Sequence, residues 1–314
     1  MGRMTFVLRR LLQLVPVAIG CTIVVFFMIH LIPGDPARTI LGIHATPKAV
    51  ALLHQEWGLN RPLLSQYWLF LDRLLHGNLG QSLFYGASVS SLILSHLPPT
   101  LWLLAYSTVL TVLISVPLAV LAASRRDGIR DHVVRAVPLV GLGMPQFWLG
   151  FLLIYVFAIT LHIFPVSGYG TGFTGHLHSM FLPSLTVALA LTPVVIRSLR
   201  ASMLNVLGAE YIVTARSKGV PPHRLYQRHV LRNAVIPAVT VLAINIGFLV
   251  GATVIIEQIF AIPGIGQLMI NSIFQRDFPV VQGVTLVFGI MVVLVNLLAD
   301  LSYAALDPRV RFDR

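Results

Sequence analysis

Charged side chains are scarce in this sequence. Only 11% of its 314 residues are Asp, Glu, Lys or Arg, and 56% are hydrophobic, whereas soluble globular domains carry about 25% charged residues. A protein with so few charges has much of its surface facing something other than water. Cys21 is the single cysteine, so the chain cannot form an internal disulfide framework.

Lysine and catalytic motifs are also nearly absent. Neither of the two lysines, Lys48 and Lys218, follows a glycine, so the chain lacks a G-x-x-x-x-G-K-[ST] phosphate-binding loop. It therefore does not bind ATP in that way, and any ATP that drives it must bind another polypeptide. We find no Ser-His-Asp order, no H-E-x-x-H pattern and no cysteine pair, and expect no catalytic residue. His176 and His178 form an H-x-H pair in a predicted extended loop, but two ligands are weak evidence for metal, so we favour a solvated loop without a metal.

Long apolar runs dominate the rest of the chain. A transmembrane helix needs about 20 mostly apolar residues, and an open strand cannot satisfy its backbone hydrogen bonds in lipid. We therefore predict an all-α polytopic membrane protein with six transmembrane helices, at residues 11–32, 99–122, 136–160, 181–200, 234–257 and 280–303.

The net charge of +11 is distributed unevenly among the loops. Seventeen of the 22 Lys and Arg residues lie at the two termini and in the loops after the second and fourth spans. The positive-inside rule then places both termini in the cytoplasm, in agreement with an even number of spans. Because no basic domain remains outside the apolar segments, we expect no nucleic-acid binding.

Two segments on the opposite side of the membrane contain turn signals. Residues 33–98 form a long loop that opens with Pro33-Gly34-Asp35-Pro36, and we predict short helices in it, such as one from Leu63 to Leu75. In residues 258–279, Pro263-Gly264 breaks the chain, and Gln267 to Phe274 fits a short amphipathic helix at the interface.

The loop between the fourth and fifth spans predicts a helix–turn–helix on the cytoplasmic surface. Gly219 suits the end of a first helix, and Pro221 or Pro222 suits the first turn of the next. Tyr211, Ala215 and Lys218 are spaced to lie on one side of the first helix. Two interpretations remain open: a contact surface for a partner protein, or an interfacial helix that anchors the bundle to anionic lipid.

This loop resembles the coupling loop of ABC importer permeases, whose pattern is E-A-A-x-x-x-G followed by I-x-L-P. Only Ala215, Gly219 and Leu231 match that general pattern. The departure is itself similar to the peptide and nickel importer subfamily, which reads like T-A-R-x-K-G and then L-R-N-A-x-I-P. The corresponding residues here are Thr214-Ala215-Arg216-Ser217-Lys218-Gly219 and Leu231-Arg232-Asn233-Ala234-Val235-Ile236-Pro237.

Further segments along nearly the whole chain are similar to the B-type subunit of that subfamily's permease pair. They are Arg9-Arg10-Leu11-Leu12, Pro33-Gly34-Asp35-Pro36-Ala37, Gly77 to Ser82, Pro145 to Gly150, Phe260 to Gly266 and Asp307-Pro308-Arg309-Val310-Arg311. The resemblance implies a type I ABC importer permease fold. It further implies an N-terminal transmembrane helix with a long extracytoplasmic loop over residues 1–92, a permease core over 93–306 and a cytoplasmic tail over 307–314.

The same resemblance implies a transport function in a prokaryotic cell membrane. The chain would pair with a second homologous permease, two cytoplasmic ATPase subunits that bind ATP and Mg, and an extracytoplasmic substrate-binding protein that docks on the long outer loop. The expected substrate is a di- or oligopeptide, with nickel or another small chelate as the alternative. A secondary carrier or a channel without ATPase partners is the alternative of another class. A carrier would show inverted repeats and ionisable groups at the midplane, and we see neither in the sequence.

Two groups of residues are expected to carry this function. The coupling loop would contact one ATPase through Glu210, Tyr211, Thr214, Ala215, Arg216, Lys218 and Gly219. The translocation path would run between the two permeases near Pro145, Gln146, Phe147 and Trp148. Pro138 and Pro145 make the third span the best candidate for a discontinuous helix.

Overall fold

The computed structural model describes residues 3–31, 35–41, 45–58, 60–82, 84–124 and 127–306. Three of the segments singled out above lie wholly or partly outside the described residues. They are Pro33-Gly34 of the predicted turn, the basic pair Arg125-Arg126, and the C-terminal segment 307–314 with its Asp307 to Arg311 motif.

The described part of the chain is helical apart from one short β-hairpin and the connecting turns. Its helices are α1 (Arg3–His30), α2 (Pro36–Leu41), α3 (Pro47–Trp57), α4 (Leu63–Leu75), α5 (Val89–Ser124), α6 (Ile129–Gly143), α7 (Gln146–Leu153), α8 (Gly172–Ser179), α9 (Phe181–Leu207), α10 (Glu210–Ser217), α11 (Pro222–Arg224), α12 (Arg232–Ile259), α13 (Ile265–Phe274) and α14 (Phe278–Leu306). Two π-helical segments follow α7 and α11, at Ile154–Thr160 and Leu225–Leu231. The hairpin strands β1 (Gln81–Ser82) and β2 (Ala87–Ser88) are antiparallel, with Gln81 opposite Ser88.

Five of the six predicted spans correspond to single helices. Within the described residues, four helical segments are long and apolar enough to cross a membrane: Val89–Ser124, Phe181–Leu207, Pro222–Ile259 and Phe278–Leu298. The first predicted span lies in α1, whose apolar stretch Val15–Met28 is shorter. The predicted all-α organisation is therefore confirmed, with boundaries that differ by several residues.

The third predicted span, 136–160, is not one continuous helix. α6 ends at Gly143 and α7 begins at Gln146, so the chain is interrupted at Met144 and Pro145. Proline has no backbone N–H to donate and disfavours a helical conformation in the residue before it. Pro138 lies inside α6 without ending it, so of the two prolines only Pro145 marks the discontinuity.

The chain divides into two compact units. The core unit comprises residues 1–3, 101–262 and 294–314, and the N-terminal unit comprises residues 4–100 and 263–293. In the core unit α6, α7 and α12 all pack on α9. A Cβ at Gly150 in α7 would lie 3.3 Å from the Phe260 ring and 3.6 Å from Thr186 of α9, so this glycine permits close packing of α7.

In the N-terminal unit, polar contacts join segments that are distant in sequence. The Thr100 hydroxyl accepts a hydrogen bond from the Ile265 N–H at 3.0 Å, and the Gln282 amide donates to the Val25 carbonyl at 2.7 Å. The buried Ser82 hydroxyl donates to the carboxylate of Asp277, the residue before α14. The first bond joins α13 to α5, and the other two hold α1 and the hairpin to the start of α14.

Candidate coupling surface

α10 is joined to the core unit by very short connections. Only Gly208 and Ala209 separate it from α9, and Ala209 has the extended backbone of an N-cap residue. Glu210 occupies the first turn, where a carboxylate interacts favourably with the positive end of the helix. With so short a connection, any displacement of α10 is transmitted directly to α9.

The C-terminal end of α10 is fixed by a Schellman motif. The Gly219 N–H donates to the Arg216 carbonyl at 2.9 Å, and the Val220 N–H donates to the Ala215 carbonyl at 3.2 Å, which is the paired pattern of this motif. Gly219 has φ of +75°, in the left-handed region that favours glycine. Pro221 then caps α11, and Pro222 is its first residue. The predicted helix–turn–helix is confirmed, with both signals in the expected places.

One side of α10 is anchored in the core unit. Ile212 is fully buried in an apolar cluster built by α5, α6, α9, the second π segment and α12, and Ala215 and Val220 are half-buried against the same cluster. The cluster comprises Ala119, Ala122, Ala123, Val134, Ile196, Leu199, Met203, Ile212, Leu225, Val230, Ala234 and Ala238. α10 is thus a packed element of the core unit and does not hang free in solution.

The opposite side of α10 is exposed. It presents Glu210, Val213, Thr214 and Ser217, flanked by Tyr211, Arg216 and Lys218. Val213 is 58% exposed although it is apolar. Tyr211, Ala215 and Lys218 were expected to lie on one side of the helix; Tyr211 and Lys218 are exposed, whereas Ala215 is half-buried with Ile212 against the apolar cluster.

Side-chain hydrogen bonds stabilise the exposed side. The Thr214 hydroxyl donates to the Glu210 carbonyl at 3.1 Å, and the Asn233 amide donates to the Tyr211 hydroxyl at 3.2 Å and to the His229 carbonyl at 2.8 Å. Asn233 lies in the first turn of α12, so its amide ties the start of α12 to α10.

A buried ion pair joins α6 to α9 in the same unit. Arg200 donates from Nε to Oδ1 of Asp131 at 2.6 Å and from Nη2 to Oδ2 at 2.5 Å, a bidentate arrangement that is the strongest geometry for this pair. Asp131 is fully buried. It also accepts from the Asp127 N–H at 3.1 Å, and Arg135 Nε lies 3.6 Å from Oδ1.

The hydrogen bonds from Arg200 hold the pKa of Asp131 below its ordinary value, and they outweigh the opposing effect of burial. The Asp127 N–H and the charges of Arg200 and Arg135 act in the same direction. Asp131 is therefore a carboxylate at neutral pH, and α6 and α9 are held together by a fully formed charge pair.

The residues expected along the path lie at the surface of the core unit. Pro145 precedes α7 and Gln146 is its first residue. Phe147 and Trp148 are exposed and are continued by exposed Phe151 and Tyr155. The neighbouring Leu149 and Gly150 are buried, so α7 presents an aromatic stripe on its free side.

The side chains of His176 and His178 make separate contacts. Both lie in α8 rather than in an extended loop, and two residues apart on a helix they point to different sides. Their ring nitrogens bond different backbone carbonyls, those of Tyr169 and Ile163. Among the described residues, no group of three or more His, Cys, Asp or Glu side chains is arranged to hold a metal ion.

Sequence reasoning missed three features of this surface: the Asp131–Arg200 pair, the buried anchor Ile212 and the exposed Val213. Arg200 and Arg135 belong to the 17 basic residues that were counted above as topology signals. The partners in the ion pair are 69 residues apart, and no local pattern reports such a contact. The adjacent pair Ile212-Val213 puts two apolar residues about 100° apart on a short polar helix, and the sequence alone does not show that one turns inward and the other outward.

The sequence matches two family descriptions. Residues 115–312 match "Binding-protein-dependent transport system inner membrane component". Residues 3–104 match the N-terminal region of binding-protein-dependent transport system membrane components. The two matches together cover most of the chain.

Curated relatives are similar over almost the full length. The glutathione transport system permease protein GsiC of Salmonella choleraesuis (strain SC-B67) is 38% identical over 309 residues, which cover 98% of this chain and 99% of that protein. The protein of the same name from Escherichia coli (strain K12) is 37% identical over 309 residues, with the same coverage.

Solved structures of transporters share the fold. An inward-facing form of the MetNI methionine ABC transporter gives a TM-score of 0.58 at 18% identity, covering 69% of this chain and 96% of that chain. An amino acid ABC transporter gives a TM-score of 0.52 at 17% identity, covering 69% of this chain and 94% of that chain. Identities this low support a shared fold and nothing finer.

Proposed function

We propose that the chain carries di- or oligopeptides. It belongs to the binding-protein-dependent transport system inner membrane components, which are the permease subunits of ABC importers. The observation that supports this substrate class is the full-length similarity to permeases of glutathione transport systems. Glutathione is a small peptide, so a path that admits it must accept peptide-like backbones. Nickel or another small chelate is the alternative cargo for the same architecture.

The proposed assembly contains four further subunits. A second homologous permease completes the translocation path, two cytoplasmic ATPase subunits bind ATP and Mg, and an extracytoplasmic binding protein delivers the substrate. The chain itself has no phosphate-binding loop and would bind neither ATP nor Mg. Both termini would face the cytoplasm, because the basic residues are concentrated there. The three-part division at residues 92 and 306 stays part of the proposal; the separate matches to residues 3–104 and 115–312 support a distinct N-terminal region, and neither match ends at 92 or 306.

In this assembly α10 would dock on one ATPase. The exposed side chains of Glu210, Tyr211, Val213, Thr214 and Arg216 support this proposal, because they project from a helix that is rigidly fixed in the core unit. Ile212 and Ala215 would transmit motion of the ATPase to α9 and α12. Lys218 and Gly219 would complete the contact and fix the end of the helix. We favour the partner-contact interpretation over a lipid anchor because the outward side carries Glu210, Thr214 and Ser217, and an acidic, hydroxyl-bearing side suits anionic lipid poorly.

The path would lie along the free side of α7. Pro145 and Gln146 form its start, and Phe147 and Trp148 begin the exposed aromatic stripe. A mostly apolar wall suits cargo whose selection is made mainly by a separate binding protein. Rigid-body rocking of the two permeases would then open the path to either side.

Reconstitution with the partner subunits tests the proposed function. The complete importer in proteoliposomes is expected to accumulate labelled dipeptide, oligopeptide or glutathione only with both ATP and the binding protein. A competition series with a nickel chelate compares the two cargo classes in the same vesicles. Uptake of the nickel chelate alone would contradict the peptide proposal, and uptake without ATP would contradict the importer mechanism itself.

A further inference from the structure

One face of α4 packs against the last three turns of α1 in the N-terminal unit. The Tyr67 hydroxyl lies 2.9 Å from the Thr22 hydroxyl, and His30 Nε2 lies 3.0 Å from Gln66 Oε1. The ring of Phe26 is 5.4 Å from the ring of Tyr67 and 6.0 Å from that of Phe70, measured between centroids. Three consecutive turns of α1, from residue 22 to residue 30, therefore contact this helix.

These contacts fix the depth of α4 in the bilayer. Eight residues of α-helix rise about 12 Å, and α1 ends at His30. α1 contains the first predicted span, residues 11–32, and the hydrocarbon layer that such a span crosses is about 30 Å thick. α4 therefore lies beside the terminal 12 Å or so of a transmembrane helix, and the Tyr67 hydroxyl reaches below the membrane surface to Thr22.

The remaining surface of α4 is divided into an apolar stripe and a polar stripe. Leu64, Trp68 and Leu75 are 70%, 64% and 86% exposed, and their spacing places them on one side of the helix. The exposed polar residues Ser65 and Asp72 lie beside them, further round the helix. A helix with a packed, an apolar and a polar stripe has three different environments.

We propose that α4 is an in-plane amphipathic helix whose stripe of Leu64, Trp68 and Leu75 contacts phospholipid at the membrane interface. Amphipathic helices lie in this region with the apolar side buried about 5–10 Å, and tryptophan is enriched there. The polar stripe then faces water and the third face stays packed on α1. The contact would fix the outer end of α1 in the bilayer whatever the importer carries.

The extracytoplasmic binding protein is the other candidate occupant of this surface, since the outer loop as a whole was expected to dock it. A soluble protein reaches only the surface that faces water. The contacts with Thr22 and Phe26 place α4 below the membrane surface, where its apolar stripe is surrounded by lipid. The lipid assignment applies to the apolar stripe of α4 and leaves the rest of residues 33–98 available for docking.

Spin labels distinguish the two occupants. The labels are introduced by Leu64→Cys and Trp68→Cys, with Ser65→Cys and Asp72→Cys as matched controls on the same helix, in full-length chain carrying Cys21→Ala and embedded in membrane vesicles. Oxygen, which partitions into lipid, is expected to relax labels at 64 and 68 more strongly than a water-soluble nickel chelate does. The order is expected to reverse at 65 and 72.

Equal access of the nickel chelate to all four labels would overturn the proposal. So would labels at 64 and 68 that become shielded only when loaded binding protein is added. A second readout needs no cysteine: in the triple variant Trp57→Phe, Trp102→Phe and Trp148→Phe, brominated phospholipids are expected to quench Trp68 fluorescence. The proposal would also be overturned if brominated phospholipids did not quench the Trp68 fluorescence while iodide in the aqueous phase quenched it strongly.

Discussion

At Gly219 the constraint is conformational and not steric. A Cβ there would meet no atom within 4 Å, but φ is +75°, a region where an L-residue is strained by about 1–2 kcal/mol. Relief of that strain would change the Schellman motif and tilt α10 away from its present direction. The exposed side of α10 would then be misplaced relative to a docked partner, whereas the apolar spans that direct membrane insertion are unchanged in sequence.

The variant Gly219→Val is therefore expected to insert normally but to couple poorly. Its β-branched side chain is among the least compatible with this backbone. Measured in inverted vesicles, its peptide transport per ATP hydrolysed is expected to fall well below wild type, with membrane abundance unchanged. The matched control is Gly219→Asn, because asparagine tolerates the left-handed region; it should retain most of the transport. Normal coupling by Gly219→Val would show that the geometry at Gly219 does not matter for transport.

At the scale of elements, the Asp131–Arg200 pair makes α6 and α9 a single rigid piece. Replacing Asp131 by Asn leaves the Arg200 guanidinium partly buried without its counter-charge, and breaking one side of a buried pair costs about 3–5 kcal/mol. We expect Asp131→Asn to lower the apparent melting temperature of the purified chain by several degrees, as followed by tryptophan fluorescence. Arg135→Ala is the control. The Arg135 side chain is 44% exposed, and the variant loses only the ion pair in which Arg135 Nε lies 3.6 Å from Asp131 Oδ1. Its effect on the melting temperature should therefore be small.

The difference in stability between wild type and Asp131→Asn is expected to depend on pH, which gives a further check. Because Arg200 lowers the pKa of Asp131 in the folded protein, the stabilisation is complete above the ordinary carboxylate pKa and is lost as pH falls through the lowered value. The gap between wild type and Asp131→Asn should stay constant from about pH 8 to about pH 5 and shrink only in stronger acid. A gap that closes near neutral pH would contradict the assignment of a charged Asp131.

The elements that could be predicted are those with local signals. Apolar length located five helices, and the glycine and two prolines located both ends of the turn after α10. Residue spacing does not predict the features that depend on contacts between residues distant in the sequence. The sequence patterns grouped Ala215 with Tyr211 and Lys218, although Ala215 packs with Ile212 against the apolar cluster. They treated Arg200 as a topology signal, although its partner is Asp131. The break before α7 was expected from Pro145, whereas Pro138 is accommodated within a helix.

At the scale of the whole molecule, the proposed transport mechanism requires α10 to be the contact between the membrane chain and an ATPase. Val213 is the most informative position, because it is apolar, 58% exposed and projects away from the apolar cluster that buries Ile212. The chain offers a control in Phe274, which is 81% exposed and lies in the loop predicted to face the other side of the membrane.

Photo-crosslinking from these two positions tests that claim most directly. Val213 and Phe274 are each replaced by the photoreactive residue p-benzoylphenylalanine, and the complete importer is irradiated in membranes. The account predicts a covalent product between the ATPase subunit and the chain labelled at 213, and none from the chain labelled at 274. The proposed contact between α10 and an ATPase would be contradicted if position 213 crosslinked only to lipid or to the second permease. This result counts when the importer still hydrolyses ATP and yields no ATPase product.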